Sequence, residues 1–107
     1  MFLRTLIVAL ENLYENLKNY GISHGNLKPS NIFIKFREGQ IRLVCSDPHL
    51  EMMFEELQYD AERVGNIMHQ LISGKMPILL TDGPRQIDIM VENSPYYSLI
   101  QWYYEEQ

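Results

Sequence analysis

At 107 residues, with 46% hydrophobic and 21% charged positions, the chain has the length of one small domain and enough apolar material for a core, which excludes disorder throughout. Fourteen Asp and Glu against nine Lys and Arg give a net charge of -5, the wrong sign for a dedicated nucleic-acid binder. One cysteine, Cys45, rules out an internal disulfide framework and a multi-cysteine zinc site, and no apolar run approaches the ~20 residues that span a bilayer.

The apolar start, Phe2 to Leu10, is interrupted by Arg4 and ended by Glu11 with no small-residue cleavage site, so it reads as structure and not as a signal peptide. Leu3, Leu6, Ile7, Leu10, Leu13, Tyr14 and Leu17 recur at helical spacing and predict one buried helical face, with Gly21 as its stop. His24 to Asn31, with Gly25 and Pro29, reads as a loop. The runs Ile32 to Phe36 and Ile41 to Cys45, separated by Arg37-Glu38-Gly39-Gln40, predict a β-hairpin that Asp47-Pro48 ends.

Leu50, Met53, Phe54 and Leu57 suggest a short amphipathic helix. A stronger one follows, with Asp60 as N-cap, Val64, Ile67, Met68, Leu71 and Ile72 on one face, and Gly74 and Pro77 at its end. Leu80 to Arg85 reads as a loop, and Ile87 to Val91 fits a helical turn or a strand equally well. Ser94-Pro95 opens a last helix whose Tyr96, Leu99, Ile100 and Tyr103 share a face. The expected fold is α+β and mostly helical, one domain over residues 1–107.

His24-Gly25-Asn26-Leu27-Lys28-Pro29-Ser30-Asn31, running straight into Ile32-Phe33-Ile34, resembles the catalytic loop of eukaryotic protein kinases, His-Arg-Asp-x-Lys-Pro-x-Asn followed by a β-hairpin. Asp60-Ala61-Glu62-Arg63-Val64-Gly65 and Leu71-Ile72-Ser73-Gly74-Lys75-Met76-Pro77 resemble the start and end of the family's central C-lobe helix. The resemblance covers about residues 3 to 78 and implies a partial kinase C-lobe. It makes His24, Asp60 and Gly65 structural motif positions, Asn26 and Lys28 the catalytic positions, Lys28 and Asn31 the nucleotide-binding ones, and Asn31 a metal ligand.

The residues at those positions depart from working phosphotransfer chemistry. The family's loop Asp accepts the proton of the substrate hydroxyl, and the amide of Asn26 has no basic lone pair for it. Gly25 replaces the Arg that receives a phosphorylated activation segment. Counting on from the hairpin, Cys45 falls where the metal-binding Asp of Asp-Phe-Gly belongs, and its soft sulfur suits Mg²⁺ poorly. Asp60 follows Asp47 too soon for a full activation segment, no Ala-Pro-Glu occurs, and no glycine-rich loop or Val-Ala-x-Lys precedes the loop. The resemblance therefore implies a truncated, degenerate C-lobe, a pseudokinase without an N-lobe. Gly25-Asn26 is similar to plant receptor-like pseudokinases, and the short segment is similar to the pseudokinase region of the 2-5A-dependent ribonuclease and its stress-sensor relatives; the residues fit both.

Each of these residues also has a plainer reading. His24 packs within its loop, Asp60 caps a helix, Lys28 is a loop cation, Asn31 bonds locally and Cys45 is a small buried hydrophobe. His49 and His69 have no partner at zinc-ligand spacing. Lys35, Arg37 and Arg42 form a modest basic patch whose default is a solvated surface. Tyr96, Tyr97, Trp102, Tyr103 and Tyr104 outnumber one helix face, so some of them are available to an interaction surface. The expected function is a non-catalytic binding or scaffold module with a protein partner, no nucleic acid, no membrane and no cofactor, in the cytoplasm or nucleus. The alternative is a residual serine/threonine kinase domain, binding ATP and Mg²⁺ with an N-lobe supplied upstream or in trans.

Overall fold

The computed structural model describes residues 2–20, 27–38, 40–45, 57–78 and 85–105. Helix α1 spans Phe2–Tyr20. Its predicted face is the face that packs: Ile7, Leu10, Leu13 and Tyr14 are buried, and Leu3, Leu6 and Leu17 lie partly buried against them. Gly21 lies outside the described residues.

After buried Leu27, Pro29–Asn31 form a single 3₁₀ turn closed by the Asn31 N–H on the Lys28 carbonyl at 2.9 Å. Strands β1 (Ile32–Arg37) and β2 (Gln40–Cys45) then pair antiparallel, Ile32 with Cys45 through Arg37 with Gln40. The predicted hairpin is present, with its turn shortened, since Arg37 and Gln40 belong to the strands. Glu38 in the turn takes a positive φ of 53°. β2 rests on α1, where Ile41 and Leu43 share a hollow with Ala9 and Leu13.

Helix α2 spans Leu57–Ser73. It begins three residues before the expected cap, so Asp60 sits in the first helical turn instead of capping it. A carboxylate there still favours the helix, because it faces the exposed amide dipoles of the N-terminus. Of the separate short helix suggested by Leu50 to Leu57, residues 50–56 lie outside the described residues and Leu57 opens α2. Gly74 ends α2 as expected: at φ 82° its N–H closes on the Gln70 carbonyl at 2.8 Å.

An isolated bridge pairs Ile78 with Gln86 across residues 79–84, which lie outside the described residues. Asp88 then caps the short helix α3 (Ile89–Glu92), its Oδ1 accepting the Met90 N–H at 2.8 Å. This resolves Ile87 to Val91 as a helical turn. The Ser94 hydroxyl accepts the Tyr96 N–H at 3.2 Å, and the regular helix α4 (Tyr97–Glu105) starts two residues beyond Pro95.

The fold is therefore α+β and mostly helical, with one two-stranded antiparallel sheet among the described residues. Helices α1, α3 and α4 all pack on α2, whose Ala61, Val64, Ile67 and Met68 join Val91, Ile100 and Tyr103 in the core. Tyr14 meets Tyr103 edge-on, with ring centroids 5.3 Å apart. Among the described residues no helix is long and apolar enough to cross a membrane.

Candidate functional site

Leu27 and Asn31 anchor the described part of the motif loop. Leu27 is 1% exposed, and Pro29 fixes the 3₁₀ turn that carries Asn31 inward to 7% exposure. Lys28, in extended backbone at φ -156° and ψ 159°, is exposed. The two matched polar residues therefore diverge: the cation stands in solvent and the amide is buried and engaged within the protein. His24, Gly25 and Asn26 lie outside the described residues, as do Asp47, Pro48 and His49. For Cys45 only the backbone, paired with Ile32, is described.

Asp60 is 0% exposed and engaged. Tyr14 lies close enough to feel it: burial first, then the Asp60 and Glu15 carboxylates, push the Tyr14 hydroxyl above its ordinary value. A carboxylate at this depth persists only when hydrogen bonds replace its lost hydration. Asp60 thus stands at the start of α2 near Tyr14 of α1, the helix that leads into the motif loop.

Magnesium demands about six oxygen ligands in near-octahedral array. Of the implied ligands, the described residues offer the single amide oxygen of a buried Asn31. Among them no group of three or more His, Cys, Asp or Glu side chains is placed to hold a metal. The described residues do not amount to a magnesium–nucleotide site, and no chemical step is assigned to one.

Gly65 has a packing reason for being glycine. A β-carbon built on it would stand 2.8 Å from Cε1 of Tyr104, inside contact distance. The Tyr104 hydroxyl donates to Asn66 Oδ1 at 2.7 Å, and Arg85 lies 4.1 Å above its ring while reaching Glu62 at 2.8 Å. Burial, against the opposing pull of Arg85, pushes the Tyr104 hydroxyl up to about 12. Tyr103, deeper still, is likewise raised by burial and by Glu11.

A polar cluster that the spacing did not suggest surrounds His69, which is 1% exposed. Its Nδ1 lies 2.6 Å from the Lys75 carbonyl, which only accepts, so Nδ1 carries the proton. Nε2 then accepts the Asp88 N–H at 3.1 Å. Ser73 donates to the His69 and Lys75 carbonyls, and Lys75 Nζ pairs with Asp88 at 2.7 Å. One neutral imidazole thereby joins the end of α2 to the cap of α3. The sequence signal available was Asp88 before an apolar turn, which marks a cap but not its histidine partner.

Five aromatic residues near the C-terminus divide unequally. Tyr103 is buried, and Tyr96, Tyr97 and Tyr104 pack partly buried against the core. Trp102, 37% exposed, leans edge-on against Tyr103 at 5.0 Å. The core thus takes four of the five wholly or in part, and Trp102 is the most open of them. A separate apolar hollow of about 200 Å³ opens where α1, the motif loop, the hairpin and α2 meet, lined by Leu6, Leu10, Pro29, Ile32, Ile34 and Leu71 among others. Neither the models of known protein families nor the curated protein sequences give a match to this chain.

Proposed function

We propose that the chain is a non-catalytic binding module on the plan of a protein-kinase C-lobe. The observation that carries the reading is Asp60, a fully buried carboxylate in the first turn of the helix that follows the hairpin. The resemblance assigns to this residue the task of accepting hydrogen bonds from the motif loop. Its engagement at zero exposure, and its proximity to Tyr14, support a role in bracing that part of the molecule.

Loss of catalysis is supported by Asn26, which has no base to offer, and by the burial of Asn31 apart from Lys28. The apolar hollow beside the loop supports binding. The exposure of Lys28 favours the second reading, a residual ATP-binding kinase domain, because a cation open to solvent is what a phosphate needs.

A thermal-shift titration of the chain with ATP, with and without Mg²⁺, separates the two. An unchanged cooperative melt supports the non-catalytic module. A magnesium-dependent rise in Tm means that nucleotide binds the folded state and overturns it in favour of the second.

A further inference from the structure

We propose that the outward face of the β1–β2 hairpin docks a short acidic peptide segment of a protein partner. The register sets Phe33 opposite Val44, Lys35 opposite Arg42 and Arg37 opposite Gln40, and strand alternation puts these six positions on one face. The alternate positions share the face on which Leu43 is buried against α1.

That outward face concentrates charge of the minority sign. Three of the nine cations of a chain with net charge -5 occupy register positions of that face, Lys35 among them with an exposed side chain, and Glu38 in the turn is the only acid between Ile32 and Cys45. Lys35 and Arg42 are direct register partners. Like charges placed directly opposite repel, and an anion between them turns that repulsion into attraction. Phe33, two positions along from Lys35, is 53% exposed and adds an apolar surface beside the cations.

The matching ligand has carboxylates for the cation pair and an apolar side chain for Phe33. Strands of this length span roughly 20 Å, so the face accepts about six residues of extended peptide. A long polyanion or an anionic membrane would overrun the hairpin onto a molecule whose remaining charge is strongly acidic, and repulsion opposes it there. Charge complementarity therefore favours a short acidic peptide. The proposal rests on the binding-module part of the preceding reading and not on the fate of nucleotide.

The test titrates the full chain into a labelled Glu-Glu-Phe-Glu-Glu peptide at low salt, read by fluorescence anisotropy. A Lys-Lys-Phe-Lys-Lys peptide, a short single-stranded RNA and phosphatidylserine vesicles are run alongside. Saturable binding of the acidic peptide is expected, weakened about tenfold by Lys35→Glu and by physiological salt, where the screening length falls to ~8 Å. Lys18→Glu, which reverses an exposed cation on α1, leaves it unchanged. Circular dichroism checks each variant; if Lys35→Glu does not fold, Lys35→Gln replaces it, with a loss of severalfold expected. No saturable binding, equal losses in the α1 and hairpin variants, or tighter binding of RNA or vesicles than of peptide overturns the proposal. Peptide failure with no ATP shift removes this docking face and leaves the non-catalytic reading standing; a magnesium-dependent ATP shift with peptide binding does the reverse.

Discussion

The ring of Tyr104 occupies the space that a side chain on Gly65 would need, with 2.8 Å between Cε1 and the nearest point a β-carbon could take. α4 approaches α2 this closely because residue 65 has no side chain. The ring has little freedom to retreat, being hydrogen-bonded to Asn66 and covered by Arg85. In an open helix Gly→Ala stabilises by roughly 0.5–1 kcal/mol. Here the overlap outweighs that gain, and Gly65→Ala is expected to lower stability by about 1–2 kcal/mol in urea unfolding. In a Tyr104→Ala background the same change becomes neutral or stabilising, a sign reversal that a double-mutant cycle reads directly.

Asp60→Asn keeps the size of the side chain but replaces one acceptor oxygen with a donor at a site with no access to water. A loss of about 1–3 kcal/mol is expected from the group left unsatisfied. An Asn variant as stable as the parent would mean that the carboxylate braces nothing.

His69→Leu fills a similar volume but abandons the Lys75 carbonyl and the Asp88 N–H together. The expected cost is about 1–3 kcal/mol, measured by thermal melting. Because the imidazole joins α2 to α3, amide exchange at Met90 and Val91 should quicken more than exchange in α1.

The acid and alkaline limbs of stability have separate sources. The Lys75 ammonium, then the Met90 N–H, hold the Asp88 carboxyl below its ordinary value. Its contribution is therefore present above the unfolded carboxylate value of about 4 and is lost as pH falls through the lower folded value. Asp88→Asn should flatten that acid limb. For Tyr104, raised to about 12 in the fold, the sign reverses. Its contribution is whole below about pH 10 and disappears as pH rises through 12, so Tyr104→Phe should resist alkaline unfolding better than the parent.

Glu38 adopts φ 53° in the hairpin turn, a conformation that costs an ordinary L-residue roughly 1–2 kcal/mol. Asn tolerates it, and Asn before Gly39 is a favoured pair for a two-residue turn. Glu38→Asn should therefore raise stability by about 0.5–1 kcal/mol in denaturant titration. A fall would mean that the side chain of Glu38 contributes more than its backbone costs.

Local patterns in the chain announced whatever depends on neighbours in sequence. The buried stripe of α1, the Ile32–Cys45 hairpin and the Gly74 stop each follow from residues within a few positions, and each appears where expected. The start of α2 was misplaced because Asp60 suits a first turn as well as a cap, and only tertiary packing chooses. The His69–Asp88 bond spans 19 positions and the Tyr104–Asn66 bond 38, distances over which no periodicity carries information. At the motif loop, spacing identified Lys28 and Asn31 but could not tell that one stands in solvent while the other is buried.

The sole tryptophan, Trp102, rides on α4 with its ring against Tyr103, half open to water. Among the described residues helix α4 packs chiefly on α2 and meets α1 through the Tyr14–Tyr103 pair, whereas α2 also carries α1 and α3. Separating α4 from α2 would open the shared core and change the surroundings of this indole. Intrinsic emission from this one indole consequently works as a built-in gauge of that separation: a red shift at denaturant concentrations below the loss of helical dichroism marks a molecule in which α4 has come away while the other helices hold.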